Sequence, residues 1–253
     1  MATYKKRGFK NKLSSSKSES LEKKSATANV FNTLDEGSSK TQQWVEKNQN
    51  IILSVVAIVA VSVIGIYLYS NYVIQPKEQK AFNEMYSSQK MFDEATLIDS
   101  DSLYNQVLNG NNDNIGMLGV IGDYSGTKAA NLASYYTGMI YLKMNDYKNS
   151  IKYLSDFNSD DSILSSLATG SIGDAFAELN QFEEAFDYYV KASNNDNNYT
   201  SPIYLYKAGL VAMKLNKFKK AENYFTNIKL DYPDSAEAKN IDAYISKAIA
   251  SYQ

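Results

Sequence analysis

The sequence contains neither cysteine nor histidine among its 253 residues. Without cysteine there can be no disulfide bond, thiolate nucleophile, or thiolate-bound zinc or iron–sulfur cluster. Without histidine the commonest transition-metal ligand is missing, together with the one side chain that titrates near neutral pH, so catalytic triads are excluded. Catalysis would have to rest on carboxylates, lysines or tyrosines alone. We therefore predict a protein that is not an enzyme and carries no cofactor and no metal.

Close acidic pairs are the one remaining feature that could support catalysis. Asp99 with Asp101, and Asp160 with Asp161, place two carboxylates near each other in the sequence, as a hydrolase with paired carboxylates requires. Aspartates that directly precede a helix are far more often N-terminal caps and first-turn charges. The interpretation as caps is favoured.

The charges of the chain separate into two regions of opposite sign. Residues 1–47 hold ten Lys/Arg and five Asp/Glu, a net charge of +5, and the remainder holds sixteen and twenty-three, a net charge of -7. The total of -2 gives no overall basic field, so nucleic acid is not a predicted partner. The basic cluster at residues 5–12 could contact anionic lipid or ribosomal RNA, but its interpretation as a topology signal in a solvated tail is favoured.

One apolar stretch is long enough to cross a membrane. No charged residue lies between Lys47 and Lys77, and residues 51–69 are almost wholly apolar. As a helix this stretch is roughly 28 Å long, and its apolar character continues to Ile74, so it matches a hydrocarbon core of about 30 Å. A helix buried in a soluble protein would carry a polar stripe, which is missing here. We predict one transmembrane helix, in contact with the lipid bilayer through residues 51–73.

The alternative interpretation of this stretch is a cleaved signal peptide. The run begins some fifty residues into the chain, is too long for a signal core, and ends in Tyr67, Tyr69 and Tyr72 instead of small residues. All ten Lys/Arg of residues 1–47 precede the span, which favours a cytoplasmic N-terminus. We expect a single-pass protein of the inner (cytoplasmic) membrane with a periplasmic C-terminal domain.

The segment before the span divides into two parts. Residues 1–38 are rich in Lys, Ser and Glu and are predicted to be a disordered cytoplasmic tail. Ser39 and Gln42 have the spacing of a capping box, which predicts that residues 39–75 form the juxtamembrane and transmembrane helix. Residues 76–253 are then the periplasmic domain.

This domain contains a sequence repeat with a period of 35 to 36 residues, which is typical of stacked helical pairs. Glycine inside a helix costs about 1 kcal/mol relative to alanine, so its recurrence predicts close approach of a neighbouring helix. Asparagine tolerates the left-handed conformation that ends a helix. The repeated positions are the glycines Gly138, Gly173 and Gly209, the asparagines Asn145, Asn180 and Asn216, the small residues Ser150, Ala185 and Ala221, and the large residues Leu154, Tyr189 and Phe225.

These positions resemble the tetratricopeptide repeat (TPR) family. Tyr141 and Phe176 stand three residues after the first two glycines, and Pro233 closes the third unit, whereas the tryptophan found early in TPR units is absent. The resemblance implies an all-α domain, a solenoid of about four helical pairs with a protein-binding groove on one side. Residues 230–251 are predicted to supply a last helix that caps the stack. The resemblance places eight residues in the groove, namely Tyr135, Met139, Lys143, Asp174, Glu178, Tyr206, Met213 and Lys214. For each of them, packing against a neighbouring helix is an equal alternative.

One span followed by a periplasmic TPR domain is similar to the YfgM-type ancillary subunits of the bacterial Sec translocon. This resemblance implies a non-enzymatic scaffold with a chaperone-like role. Its implied partners are proteins, namely translocon subunits, a periplasmic chaperone and exported polypeptides, with no small-molecule substrate. A TPR adaptor for envelope assembly or cell division is the alternative.

Overall fold

The structure, a computed structural model, describes residues 26–112, 114–195 and 197–253, and side chains from residue 41 onward. The chain divides into two units, which meet in sequence between Tyr69 and Ser70. The described residues contain no β-strand. Their α-helices are α1 (Ala26–Tyr69), α2 (Gln75–Ile98), α3 (Asp101–Asn109), α4 (Gly116–Asp123), α5 (Lys128–Lys143), α6 (Tyr147–Asp156), α7 (Ser162–Glu178), α8 (Phe182–Ser193), α9 (Ser201–Lys214), α10 (Phe218–Asp231) and α11 (Ile241–Ala250).

The first unit consists, as far as it is described, of helix α1. Its apolar residues from Ile51 to Tyr69 are almost all exposed, as expected of a helix whose surroundings are lipid. The helix is long and apolar enough to cross a membrane. It begins at Ala26, which corrects the predicted start at Ser39 and the predicted disorder of residues 26–38. No proline interrupts these residues, so nothing stops the helix there. The basic cluster at residues 5–12 lies outside the described residues.

The second unit starts with a π-helical turn, Ser70–Ile74, and helix α2, which carries Pro76 in its first turn as its fixed φ angle favours. Helix α2 is tied to the first helix of the repeats. The carboxylate of Glu78 accepts the backbone N–H groups of Lys128 and Ala129 at 3.0 and 2.9 Å, and so caps the N-terminus of α5 from another helix. Helices α2 to α5 share one apolar core.

Helices α5–α6, α7–α8 and α9–α10 are the three pairs that the repeat predicts. Each pair turns at its asparagine, because Asn145, Asn180 and Asn216 have φ angles of 60°, 58° and 57°. The prediction of a left-handed residue at these positions is confirmed. In each turn the N–H group that follows the asparagine donates to the carbonyl five residues earlier, the bond of a Schellman motif. These bonds are Asp146 to Tyr141 at 2.8 Å, Gln181 to Phe176 at 2.9 Å and Lys217 to Ala212 at 2.8 Å.

The three repeated glycines face the second helix of their own pair. A β-carbon at Gly138 would lie 2.5 Å from Leu154 Cγ, and one at Gly173 would lie 2.8 Å from the Tyr189 ring. A β-carbon at Gly209 would overlap the Phe225 ring. The sequence places the small residues Ser150, Ala185 and Ala221 opposite the glycines. In the structure the nearest side chain is the large one four positions later, because that residue points back toward the first helix. The small residues are themselves fully buried.

The C-terminal end of the stack has a shorter cap than predicted. Helix α11 begins only at Ile241, because Pro233 follows the end of α10 and Asn240 adopts a left-handed φ of 64°. The helix packs on α10 through the buried Ile241 and Ala248. It closes the core that runs from α8 to α11.

Comparison of Ser150 with the equivalent positions of the other repeats predicts a substitution that stabilises the protein. Its hydroxyl group is fully buried and has no hydrogen-bond partner among the described residues, while the equivalent positions carry alanine. We expect Ser150→Ala to raise the free energy of unfolding by about 1 kcal/mol, because an unsatisfied buried hydroxyl is removed. Urea unfolding of the full chain in detergent, followed by circular dichroism, measures this change. Ser155→Ala on the exposed side of α6 is the matched control and should change stability by no more than about 0.5 kcal/mol. A loss of stability in Ser150→Ala would contradict the prediction.

Candidate binding cleft

A cleft of about 500 Å³ lies where the first two helical pairs meet. The last turns of the first helices α5 and α7 form its sides, and the turn after α5 forms its rim. Helices α8 and α9 contribute one side chain each. The residues that line this binding cleft are Leu142, Lys143, Asn145, Tyr147, Asp174, Ala177, Glu178, Tyr189 and Lys207.

A charged network links three helices at the cleft. Asp174 on α7 accepts two hydrogen bonds from the Lys207 ammonium on α9, at 2.6 and 2.9 Å. The Tyr189 hydroxyl on α8 donates to the same carboxylate at 2.7 Å. The ammonium also lies 5.6 Å from the ring centres of Tyr189 and Tyr204. Both Asp174 and Lys207 are therefore occupied by contacts within the protein, and they hold the second and third pairs together.

Tyr189, a member of this network, and the neighbouring Tyr204 both have a raised pKa. Burial raises the pKa of Tyr189 far above its usual value, and the neighbouring Asp174 carboxylate adds to the increase. Burial likewise raises the pKa of Tyr204, again helped by Asp174. The phenolate forms are disfavoured because the apolar surroundings and the nearby negative charge both oppose a second anion. Both hydroxyl groups are therefore neutral at physiological pH.

These shifts predict a loss of stability in alkali. Above pH 10 the unfolded chain releases the protons of Tyr189 and Tyr204 while the folded chain keeps them, so the free energy of unfolding falls as the pH rises. Each tyrosine contributes a slope of up to about 1.4 kcal/mol per pH unit. Urea unfolding at a series of pH values measures the slope. Tyr204→Phe keeps the ring and should make the slope shallower, whereas Tyr199→Phe at an exposed position should not. Equal slopes in all three proteins would refute this account.

Three of the eight predicted groove residues line the binding cleft. Lys143 and Glu178 are exposed there and form no ion pair with a described residue, so both charges face solvent. Asp174 also lines the cleft but is paired with Lys207. The structure thus brings together one residue of the first pair and two of the second.

The other five predicted residues lie elsewhere. Tyr135 and Met139 are half-buried against the core between α6 and α7. Met213 packs on the C-terminal core, and the Lys214 ammonium lies 3.6 Å from the ring centre of Phe182. Tyr206 lines a separate cleft of about 300 Å³ beside α11 and packs edge-on against Tyr244, with ring centres 5.2 Å apart. Each of these five residues thus packs against other side chains of the protein.

Lys207, Tyr147 and Tyr189 line the cleft although the sequence analysis did not place them in the groove. Tyr189 is one of the repeated large residues, and this position in the repeat indicates packing only. Lys207 lies 33 residues from its partner Asp174, close to the repeat period, and this spacing could have indicated a contact between neighbouring pairs. No group of three acidic side chains that could hold a metal is present in the described part of the chain.

The aspartates considered as a catalytic pair have structural roles where their contacts are described. The Asp161 carboxylate accepts the Leu164 N–H at 2.8 Å and caps α7. Asp99 accepts the hydroxyl of Tyr104 at 3.3 Å. Asp101 lies in the first turn of α3, where a negative charge is favourable.

Two family models, both described as Tetratricopeptide repeat, match this chain. One covers residues 204–235 and the other residues 137–156. The first range contains most of α9 and all of α10, and the second contains the end of α5 with α6, so α7 and α8 lie between the two matches. A comparison with curated proteins found no match. The chain therefore contains tetratricopeptide repeats in an all-α domain that follows an apolar helix.

Proposed function

We propose that this chain, a TPR protein with one apolar helix that can span a membrane, is a non-enzymatic scaffold that binds partner proteins in its binding cleft. The open cleft between the first two helical pairs is the observation that carries this proposal. Lys143 and Glu178, which form no ion pair with a described residue, are available to a partner. Stacked helical pairs offer an extended surface suited to peptides or partner helices.

We further propose that the scaffold acts beside the Sec translocon, as its resemblance to ancillary translocon subunits implies. The N-terminus then lies in the cytoplasm and the repeats in the periplasm, where they meet emerging polypeptides or a periplasmic chaperone. The excess of Lys/Arg before the span supports this orientation.

Co-purification from gently solubilised membranes tests the partner assignment. The tagged full chain is compared with a control that joins the same span to an unrelated soluble domain. Recovery of translocon or periplasmic chaperone subunits above the control supports the proposal, and their absence refutes it. Recovery of cell-wall or outer-membrane proteins instead would favour an adaptor for envelope assembly or cell division.

The proposed orientation is tested separately, because a chain without cysteine permits clean labelling. Single cysteines are placed at Ser14 and at the exposed Ser246, and intact cells are treated with an impermeant thiol reagent. We expect labelling at position 246 only once the outer membrane is permeabilised, and none at position 14. Labelling of both positions, or of position 14 alone, would overturn the orientation.

A further inference from the structure

The junction between the second and third helical pairs is closed by lysines that lie on aromatic rings. The Lys214 ammonium lies 3.6 Å from the ring centre of Phe182. Lys217 and Lys220 lie 4.9 and 5.3 Å from the ring centre of Phe186. Such contacts are attractive because the face of an aromatic ring carries negative charge density. The turn between α9 and α10 is therefore seated directly on helix α8.

Lys217 adds an ion pair to this closure. Its ammonium contacts the carboxylate of Glu183 in the first turn of α8. A cation, an aromatic ring and a carboxylate together therefore hold the third pair on the second.

The junction between the first and second pairs lacks all three lysines. Counted from the turn asparagines Asn216 and Asn180, the position of Lys214 is taken by Glu178, that of Lys217 by Gln181 and that of Lys220 by Glu184. A carboxylate is repelled by the face of an aromatic ring, and the amide of Gln181 carries no positive charge, so these residues cannot repeat the closure. The binding cleft opens at this junction.

One of the two aromatic residues of the closure is nevertheless kept at the first junction. Tyr147 occupies the position of Phe182, two residues after the turn asparagine, and it lines the binding cleft together with Glu178. Its hydroxyl donates to Asn145 Oδ1 at 2.9 Å, and its ring contacts no cation and no other ring among the described residues. An aromatic face and a carboxylate thus share a cleft in which no cation of a described residue lies over the ring.

We infer that a lysine or arginine side chain of the bound protein fills the binding cleft, with its cation over the Tyr147 ring and beside the Glu178 carboxylate. The inference rests on the protein-binding function proposed above and specifies the chemistry of the partner. Asp174 offers no second anion, because Lys207 neutralises it. Lys143 at the side of the cleft repels a further positive charge, so the bound segment carries a single basic residue within the cleft and not a polybasic run.

Fluorescein-labelled, capped peptides that differ only in a central Lys, Gln or Glu are the probes for this site. Anisotropy with the full chain in nanodiscs measures their affinities. We expect the lysine peptide to bind about tenfold more tightly than the glutamine peptide, because a cation–π contact and an ion pair act together. The glutamate peptide should bind more weakly still. Equal affinity for the three peptides, or no binding of any, would overturn the inference.

Two glutamate variants make the test specific to the cleft. Glu178→Gln should weaken the preference for lysine, because only the cation–π contact with Tyr147 remains, whereas Glu184→Gln, an identical change at an exposed residue outside the cleft, should leave it unchanged. Glu178→Lys should abolish binding, and should raise the midpoint of thermal unfolding by about 2 °C, because the new lysine closes the junction over Tyr147. A lysine preference that is undiminished in Glu178→Gln would overturn the inference.

The outcomes separate this inference from the proposed function. If partners co-purify equally with the unmodified chain and with Glu178→Gln, and the peptides show no preference, the scaffold function stands and the basic side chain is refuted. If the lysine preference holds while no translocon or chaperone subunit is recovered, the cleft chemistry stands and the translocon assignment falls.

Discussion

Phe225→Ala should lower the free energy of unfolding by about 3 to 5 kcal/mol, as expected for the loss of a large, fully buried ring. Phe225 lies on α10 and packs between Tyr206 and Tyr244, with ring centres 6.0 and 5.4 Å away. It also fills the space left by the missing side chain of Gly209. Its removal therefore opens a cavity where three helices meet, and the surrounding rings cannot collapse into it without leaving their own contacts.

Urea unfolding of the full chain in detergent measures this loss. Leu230→Ala on the same helix is the matched control, since Leu230 is 70% exposed and its truncation leaves no cavity. We expect the control to change stability by less than about 0.5 kcal/mol. Similar losses for Phe225→Ala and Leu230→Ala would show that α10 is not packed as described.

Gly170→Ala should destabilise the protein by about 3 kcal/mol, at the upper end of overpacking effects. A β-carbon at Gly170 would overlap the ring of Tyr204, which is 3% exposed and packed in the C-terminal core. Gly170 lies on α7 and Tyr204 on α9, so the substitution forces apart the first helices of two neighbouring pairs. The loss of stability therefore arises from the contact between two repeats and not from packing within one repeat.

Two further variants isolate this contact. In Gly122→Ala the new β-carbon faces open space, so this variant should be neutral or stabilising by up to about 1 kcal/mol. The double variant Gly170→Ala/Tyr204→Leu should lose less stability than the sum of its single variants, because the smaller side chain relieves the overlap. Additive losses would place the effect of Gly170→Ala somewhere other than Tyr204.

The pairs of helices could be predicted because their signals are local and repeat three times. An asparagine in each turn, a glycine before it and a large residue after it act within one unit of the repeat. A left-handed turn depends on a single residue and on hydrogen bonds to the preceding helix. Asn145, Asn180 and Asn216 therefore have the same conformation, and each starts the second helix at the same distance from the glycine.

The groove was predicted less completely, because a side chain on a first helix can face a ligand or a neighbouring pair. Lys143 and Lys214 occupy equivalent positions in the sequence, yet one lines the open cleft and the other covers Phe182. The difference depends on which residue the adjacent pair presents. Periodicity carries no information about that neighbour.

The amino-acid sequence by itself determined the apolar span, the helical period, the turn positions and the exclusion of cysteine and histidine chemistry. Each of these follows from the properties of one segment or from composition. Only the tertiary structure decided that Gly170 accommodates Tyr204, that Glu78 caps α5, that Lys207 neutralises Asp174, and that one junction is closed while the other is open. These contacts join residues between about 30 and 50 positions apart, and they depend on how successive pairs are rotated against each other, which no local pattern encodes.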